Sequence, residues 1–248
     1  MSRWGRLRET HTEFGGGRGI NLPEAREHDT NTGDASELVF DRLVEMFDEG
    51  NVRKRGRLTK LEINERLNQY NPQFGTFVFN PRSHIRPDGG IIEIRDSEGE
   101  WRVVLVSEAK RQGTNIERLK EGLGKQASGN AVERMFKNIQ EMKNYMIFEP
   151  YFPYIVFIFG ADFTLEPVDV ETSRGNITLE PTSIPDRITA ANFGMPINHT
   201  YVQEISEKKA TSVYARLDTW TVGEMVERMW EVVVKVLDIL EEKYGLPE

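Results

Sequence analysis

Pro87-Asp88-Gly89-Gly90-Ile91-Ile92-Glu93-Ile94-Arg95 and, beyond a short polar run, Trp101-Arg102-Val103-Val104-Leu105-Val106-Ser107-Glu108-Ala109-Lys110 form the stretch whose pattern decides the fold. Ile91 to Arg95 and Trp101 to Glu108 are β-type runs, and Asp96-Ser97-Glu98-Gly99-Glu100 between them is turn chemistry, so the pair reads as a hairpin. Working outward, Thr76 to Phe79 is a third β-type run. A helical stretch near Asn115 to Leu123 and a longer helix over Ala131 to Ile147 follow, and then comes Tyr154 to Phe159. That last run is apolar throughout, as expected of a strand covered on both faces. Strands alternating with helices predict an α/β core, a central mixed sheet flanked by helices.

Helices close both ends of this core. Ser36 is a plausible N-cap for a helix with apolar positions at Leu38, Val39, Leu43, Val44 and Phe47, ending at Gly50. A second helix is expected over Lys60 to Gln69. After Thr221, the positions Val222, Met225, Val226, Met229, Val233, Val236, Leu237 and Leu240 describe one face of a final helix. Residues 1–34 are polar, Gly-rich and aperiodic and read as a flexible arm, which leaves 35–248 as one α/β domain. Between the first two helices, Asn51 to Lys60 carries Arg53, Lys54, Arg55, Arg57 and Lys60 with no acid. That run reads either as a solvated loop or as a contact for phosphates.

Composition narrows the function classes. With 38% hydrophobic residues in 248, the chain can bury a sizeable core. The net charge of -8 does not by itself suggest a nucleic-acid partner. The absence of Cys removes disulfides, Cys-ligated zinc and thiol catalysis together. The four His (His11, His28, His84 and His199) have no metal-ligand spacing. No stretch has the apolar length of a signal peptide or a membrane span, so a soluble cytoplasmic protein with no membrane association is expected.

Chemistry gathers on the hairpin. In an extended strand, positions i and i+2 share a face about 6.6 Å apart, so Glu108 and Lys110 converge while Ala109 faces away. If the hairpin brings Asp88 alongside, two carboxylates meet one ammonium. Two carboxylates with water and phosphate oxygens suit a hard cation such as Mg²⁺, and a nearby Lys can orient or deprotonate an attacking water, which makes phosphodiester hydrolysis the natural reaction. Glu-x-Lys also arises at Glu141, Glu207 and Glu241, in helical or polar surroundings. Only Glu108 ends an apolar strand, where an unpartnered carboxylate would cost several kcal/mol. A purely structural Glu108–Lys110 salt bridge remains open on spacing alone. On the long helix, Asn130, Arg134, Lys137 and Glu141 form a narrow polar face opposite Val132, Met135, Ile139, Met142 and Met146. Asn and Arg are suited to purine edges in the major groove, although a helix N-cap followed by a surface Arg explains the same residues.

Together, Pro87-Asp88-Gly89-Gly90, Ser107-Glu108-Ala109-Lys110, Gly129-Asn130-Ala131-Val132-Glu133-Arg134 and Ala190-Ala191-Asn192-Phe193-Gly194-Met195-Pro196 resemble the EcoRI family of type II restriction endonucleases, within the PD-(D/E)XK nucleases. The resemblance runs from about Lys60 to Asn198 and is weaker in the final helix. It implies a homodimer that cleaves double-stranded DNA with Mg²⁺ at a palindrome with an AATT core, GAATTC in full, and a cognate DNA methyltransferase beside it. It also implies Asp88 and Glu108 at the metal, Lys110 at the attacking water, and Glu93 as a support to that centre. Asn130 and Arg134 would contact the adenines, with Gly129, Ala131 and Gln112 near the thymines. Glu133 would pair with Arg134 across the dimer, Arg187 would meet the outer guanine, and Ala127 would lie beside the outer cytosine. Three features depart from the pattern: Thr114 to Ser128 is shorter, Gln126 replaces a methionine, and Ile184 replaces an arginine.

Overall fold

The computed structural model describes residues 22–75, 78, 80–111 and 129–247, with backbone only for 22–29, 111 and 129–131. In chain order the principal elements are α1 (Leu22–Phe47), β1 (Val52–Arg55), β2 (Leu58–Thr59), α2 (Lys60–Tyr70), β3 (His84–Ile85), β4 (Gly90–Arg95), β5 (Trp101–Arg111) and α3 (Gly129–Tyr145). They continue with β6 (Tyr154–Phe159), β7 (Val168–Thr172), β8 (Gly175–Leu179), α4 (Ile184–Ala191), β9 (Glu204–Ile205), β10 (Lys208–Lys209), β11 (Ser212–Arg216) and α5 (Val222–Tyr244). The five-stranded sheet has the order β1-β4-β5-β6-β11. Pairing is antiparallel from β1 to β5 and parallel from β5 to β11, so the sheet is mixed.

The expected hairpin is β4–β5, and β6 has the bounds its apolar run predicted, with all six residues buried. Two helical layers cover the sheet. Ser107 and Glu108 are adjacent on β5 and point to opposite faces. Ser107 lies beneath α1, because a Cβ on Gly89 would meet both Ser107 Oγ and the carbonyl of Thr32. Glu108 lies beneath α3, from which Asn138 reaches it. Ala35, Val39 and Leu43 of α1 recur every fourth residue and are wholly buried, as are Met225, Met229, Val232, Val233 and Val236 of α5. The Thr221 hydroxyl and Glu224 form a reciprocal capping box that starts α5.

Several boundaries move. Helix α1 begins at Leu22, well before Ser36, and Thr32, Ala35 and Ser36 are buried. Packing beneath α5 overrides the weak helix preference of Thr, Asn and Gly in that stretch. The basic run from Asn51 to Lys60 is not a loop: Val52–Arg55 is the edge strand β1, and its charges are paired internally. Arg53 and Arg55 both reach Glu93, Arg55 also reaches Glu62, and Lys54 and Lys60 meet Glu37 and Glu141. Thr76, Phe77 and Phe79 of the predicted third strand, and the stretch from Asn115 to Leu123, lie outside the described residues. No helix among the described residues is long and apolar enough to cross a membrane.

Candidate active site

The site is assembled by a turn, two strands and one helix. Pro87 to Gly90 closes a turn, Gly90 N–H donating to Pro87 O at 3.1 Å, while Gly89 N–H donates to Ser107 O at 3.0 Å. Neither glycine tolerates a side chain. A Cβ on Gly89 would stand 2.0 Å from Ser107 Oγ, and Gly90 has φ +83° with Arg55 O 2.9 Å from where its Cβ would be. This close approach holds Asp88 against the end of β5, where its Oδ2 accepts from Ala109 N–H at 3.0 Å.

Lys110 Nζ lies 2.9 Å from Asp88 Oδ2, 2.6 Å from Glu108 Oε1 and 2.7 Å from Ala109 O. Asp88, Glu108 and Lys110, more than twenty residues apart at the extremes, therefore meet at one point. Glu108 has no exposed side-chain surface, and its two oxygens are held differently. Oε1 accepts from Lys110 and, at 2.9 Å, from Asn138 Nδ2; Oε2 accepts from the Tyr154 hydroxyl. Burial pushes the Glu108 carboxyl up, against the opposing pull of Lys110. Burial alone would lower Lys110, but the adjacent Glu108 and Asp88 hold its ammonium above the usual lysine range. Burial and the Glu108 charge raise Tyr154, which stays a hydrogen-bond donor.

The ammonium thus occupies the meeting point of three oxygens from three groups, all of them hard ligands that would accept a divalent cation in its place. No group of three or more His, Asp and Glu side chains placed to hold a metal ion occurs among the described residues, so such a cation would draw on two carboxylates and a backbone carbonyl. Glu93 is not part of this cluster. It pairs with Val103 in the hairpin register, five residues along β5 from Glu108, and is buried against Arg53 and Arg55. The hydrogen bonds to Glu108 come instead from Asn138 and Tyr154. Of these, Asn138 follows Arg134 by one helical turn, a spacing visible in the sequence. Tyr154 gives no local signal.

The family model for restriction endonuclease EcoRI matches residues 15–246. The chain belongs to the EcoRI family. Type II restriction enzyme EcoRI of Escherichia coli is 38% identical over 258 residues, covering 95% of this chain and 93% of that protein. Type II restriction enzyme RsrI of Cereibacter sphaeroides is 36% identical over 250 residues, covering 92% and 90%. This EcoRI-family chain is accordingly a type II restriction endonuclease, a class that acts on double-stranded DNA and generally uses a divalent metal ion.

Within the EcoRI-family frame, the remaining predicted site residues stand as follows. Gly129, Asn130 and Ala131 form the first turn of α3, described as backbone only. Glu133 and Arg134 are exposed on the same helix, and Arg187 is exposed on α4. Gln112 and Ala127 lie outside the described residues. Val132, Met135, Ile139, Met142 and Met146 are buried, so the apolar face of α3 seats the helix and its other side is left for contacts.

Proposed function

We propose that this chain is a Mg²⁺-dependent endonuclease that acts as a homodimer on palindromic DNA with an AATT core, GAATTC in full. The observation that carries this reading is the convergence of Asp88, Glu108 and the Ala109 carbonyl on the position held by the Lys110 ammonium. These are the three groups that would hold Mg²⁺. When bound, the cation supplies positive charge to the scissile phosphate and acidifies a coordinated water. Lys110, beside these groups, would donate from its ammonium to the phosphate or orient the attacking water. In the metal-free site Glu108 and Asp88 hold Lys110 as an ammonium, a donor rather than a base.

Recognition falls to the start of α3. Asn130 and Arg134 are one turn apart and would contact the adenines, with Gly129, Ala131 and Gln112 near the thymine methyl groups. Glu133 would meet the partner protomer's Arg134, so that the two-fold axis of the dimer coincides with that of the site. Arg187 would take the outer guanine, with Ala127 beside the outer cytosine. A cognate methyltransferase of the same specificity would protect host DNA, in a cytoplasmic setting.

A second reading keeps AATT and changes the outer pair. It is favoured by Ile184, which is 3% exposed and packs in the core, so it offers no donor to a base. One experiment decides both points. Digesting plasmid with Mg²⁺ and sequencing the fragment ends should return GAATTC; another outer pair selects the second reading, and the absence of discrete fragments across salts and metals removes both.

A further inference from the structure

Glu108 must present one oxygen to the site and keep the other away, and a terminal carboxylate torsion is broad and close to two-fold. Nothing intrinsic to glutamate makes that choice. The surroundings do: Oε1 faces Lys110 and Asn138, while Oε2 faces the Tyr154 hydroxyl inside the protein. Tyr154 is wholly buried and is itself fixed without reference to any ligand. It is the first residue of β6, set in parallel register opposite Val106, and its ring stacks on Phe152 with centroids 5.6 Å apart and planes 22° from parallel. A carboxylate oxygen left in that position without a donor would be strongly disfavoured.

We infer that Tyr154 is a positioning residue for DNA cleavage, its hydroxyl pinning Oε2 of Glu108 so that Oε1 is committed to the cation and the reacting phosphate. The inference rests on the function proposed above and assigns Tyr154 no contact with substrate. Partners that orient a metal-ligating carboxylate commonly contribute 10- to 100-fold to metal affinity or activity, and Tyr154 has the geometry of such a partner.

Tyr154→Phe keeps the ring and its stack and removes only the donor. Three quantities are to be measured beside wild type: the single-turnover cleavage rate of a GAATTC duplex in Mg²⁺, Mn²⁺ binding to the free protein by electron paramagnetic resonance, and duplex affinity in EDTA. Tyr214→Phe, which removes a hydroxyl bonded to Thr200 elsewhere in the sheet, is the control and should match wild type throughout. The expected result for Tyr154→Phe is a loss of about 10- to 100-fold in both cleavage rate and Mn²⁺ affinity, with duplex affinity in EDTA near wild type and a lower urea midpoint that still leaves the protein folded under assay conditions. Unchanged cleavage and Mn²⁺ binding overturn the inference, as does a loss of cleavage matched by equal losses in duplex affinity and stability. Failure of wild type to cut GAATTC with Mg²⁺ would instead count against the proposed function, and the Mn²⁺ titration would still decide the role of Tyr154.

Discussion

Replacing Lys110 by methionine should destabilise the metal-free protein in a pH-dependent way. The ammonium stands 2.6 Å from Glu108 Oε1, and at an effective dielectric constant of about 20 that contact has a gross attraction of roughly 6 kcal/mol. Desolvation offsets much of it, and removing one partner of a buried pair costs about 3–5 kcal/mol. Lys110 keeps 18% of its side-chain surface exposed, and Glu108 retains Asn138 and Tyr154, so the lower end, about 3 kcal/mol, is expected at neutral pH. Glu108 already has a folded pKa above its ordinary value, and loss of Lys110 raises it further. A raised carboxyl favours the folded state below the unfolded pKa and disfavours it as pH rises through the folded one. The deficit of Lys110→Met should therefore be small below the ordinary glutamate range and grow as pH climbs above it. Urea unfolding in EDTA at pH 4 and pH 8 measures the difference. An equal deficit at both pH values would refute the claim that Glu108 is charged and dependent on Lys110.

Other perturbations probe the scaffold and the DNA contacts. Arg102 holds Asp96 at 2.7 Å and Glu149 at 2.9 Å while lying over the Tyr244 ring, so Arg102→Leu should cost about 3–5 kcal/mol by urea unfolding. Burial alone would raise Asp96, but its bond to Arg102 and two backbone N–H groups hold it below the usual range. The wild-type share of that stability should therefore persist above the ordinary aspartate pKa and disappear as pH falls through the depressed one. Asn130→Ala should lose about 1–3 kcal/mol of discrimination between the specific duplex and one altered at an adenine, read from competition binding; an equal loss on all sequences would contradict base reading. Arg53→Gln should leave the slope of log affinity against log salt unchanged, because Arg53 is engaged by Glu93 and Trp101 and is not available to a phosphate. A shallower slope would return the edge strand to the DNA interface.

Local pattern and tertiary context contributed unequally to what the sequence made legible. Tyr154–Phe159 could be bounded to the residue because a run of six apolar side chains, too short for a membrane span, suits a strand covered on both faces. Glu108 and Lys110 could be paired because strand alternation is rigid. Edge strand β1 could not be read from Val-Arg-Lys-Arg, since only Val52 is apolar, and the strand is paired with β4 while its charges meet Glu93, Glu62 and Glu37, residues dispersed along the chain. Strand β11 was equally silent. Tyr154 reads as one more core aromatic until the parallel register of β5 and β6 sets it below a carboxylate 46 residues earlier. The resemblance implies that Glu93 supports the reactive centre; β4 instead carries it away from the turn and against Arg53 and Arg55. The charge total misled in a related way. Basic residues available for DNA have to be sought where acids do not already hold them, and the run from Arg53 to Lys60 is largely spent on the protein's own carboxylates.

The packing of α1 beneath α5 also governs when this enzyme can exist. Thr32 reaches Met225 across 193 residues of sequence, and α1, whose Ala35, Val39 and Leu43 are wholly buried, packs against α5. A growing polypeptide therefore leaves the ribosome with α1 made long before α5 can cover it, and contacts of such long separation form late and slowly. A message truncated just before Met225 would keep all five strands of the sheet but leave α1 without its cover, an aggregation-prone product. Between synthesis of the β4–β5 hairpin and of α5, the residues of the site stand on a sheet that still lacks this cover.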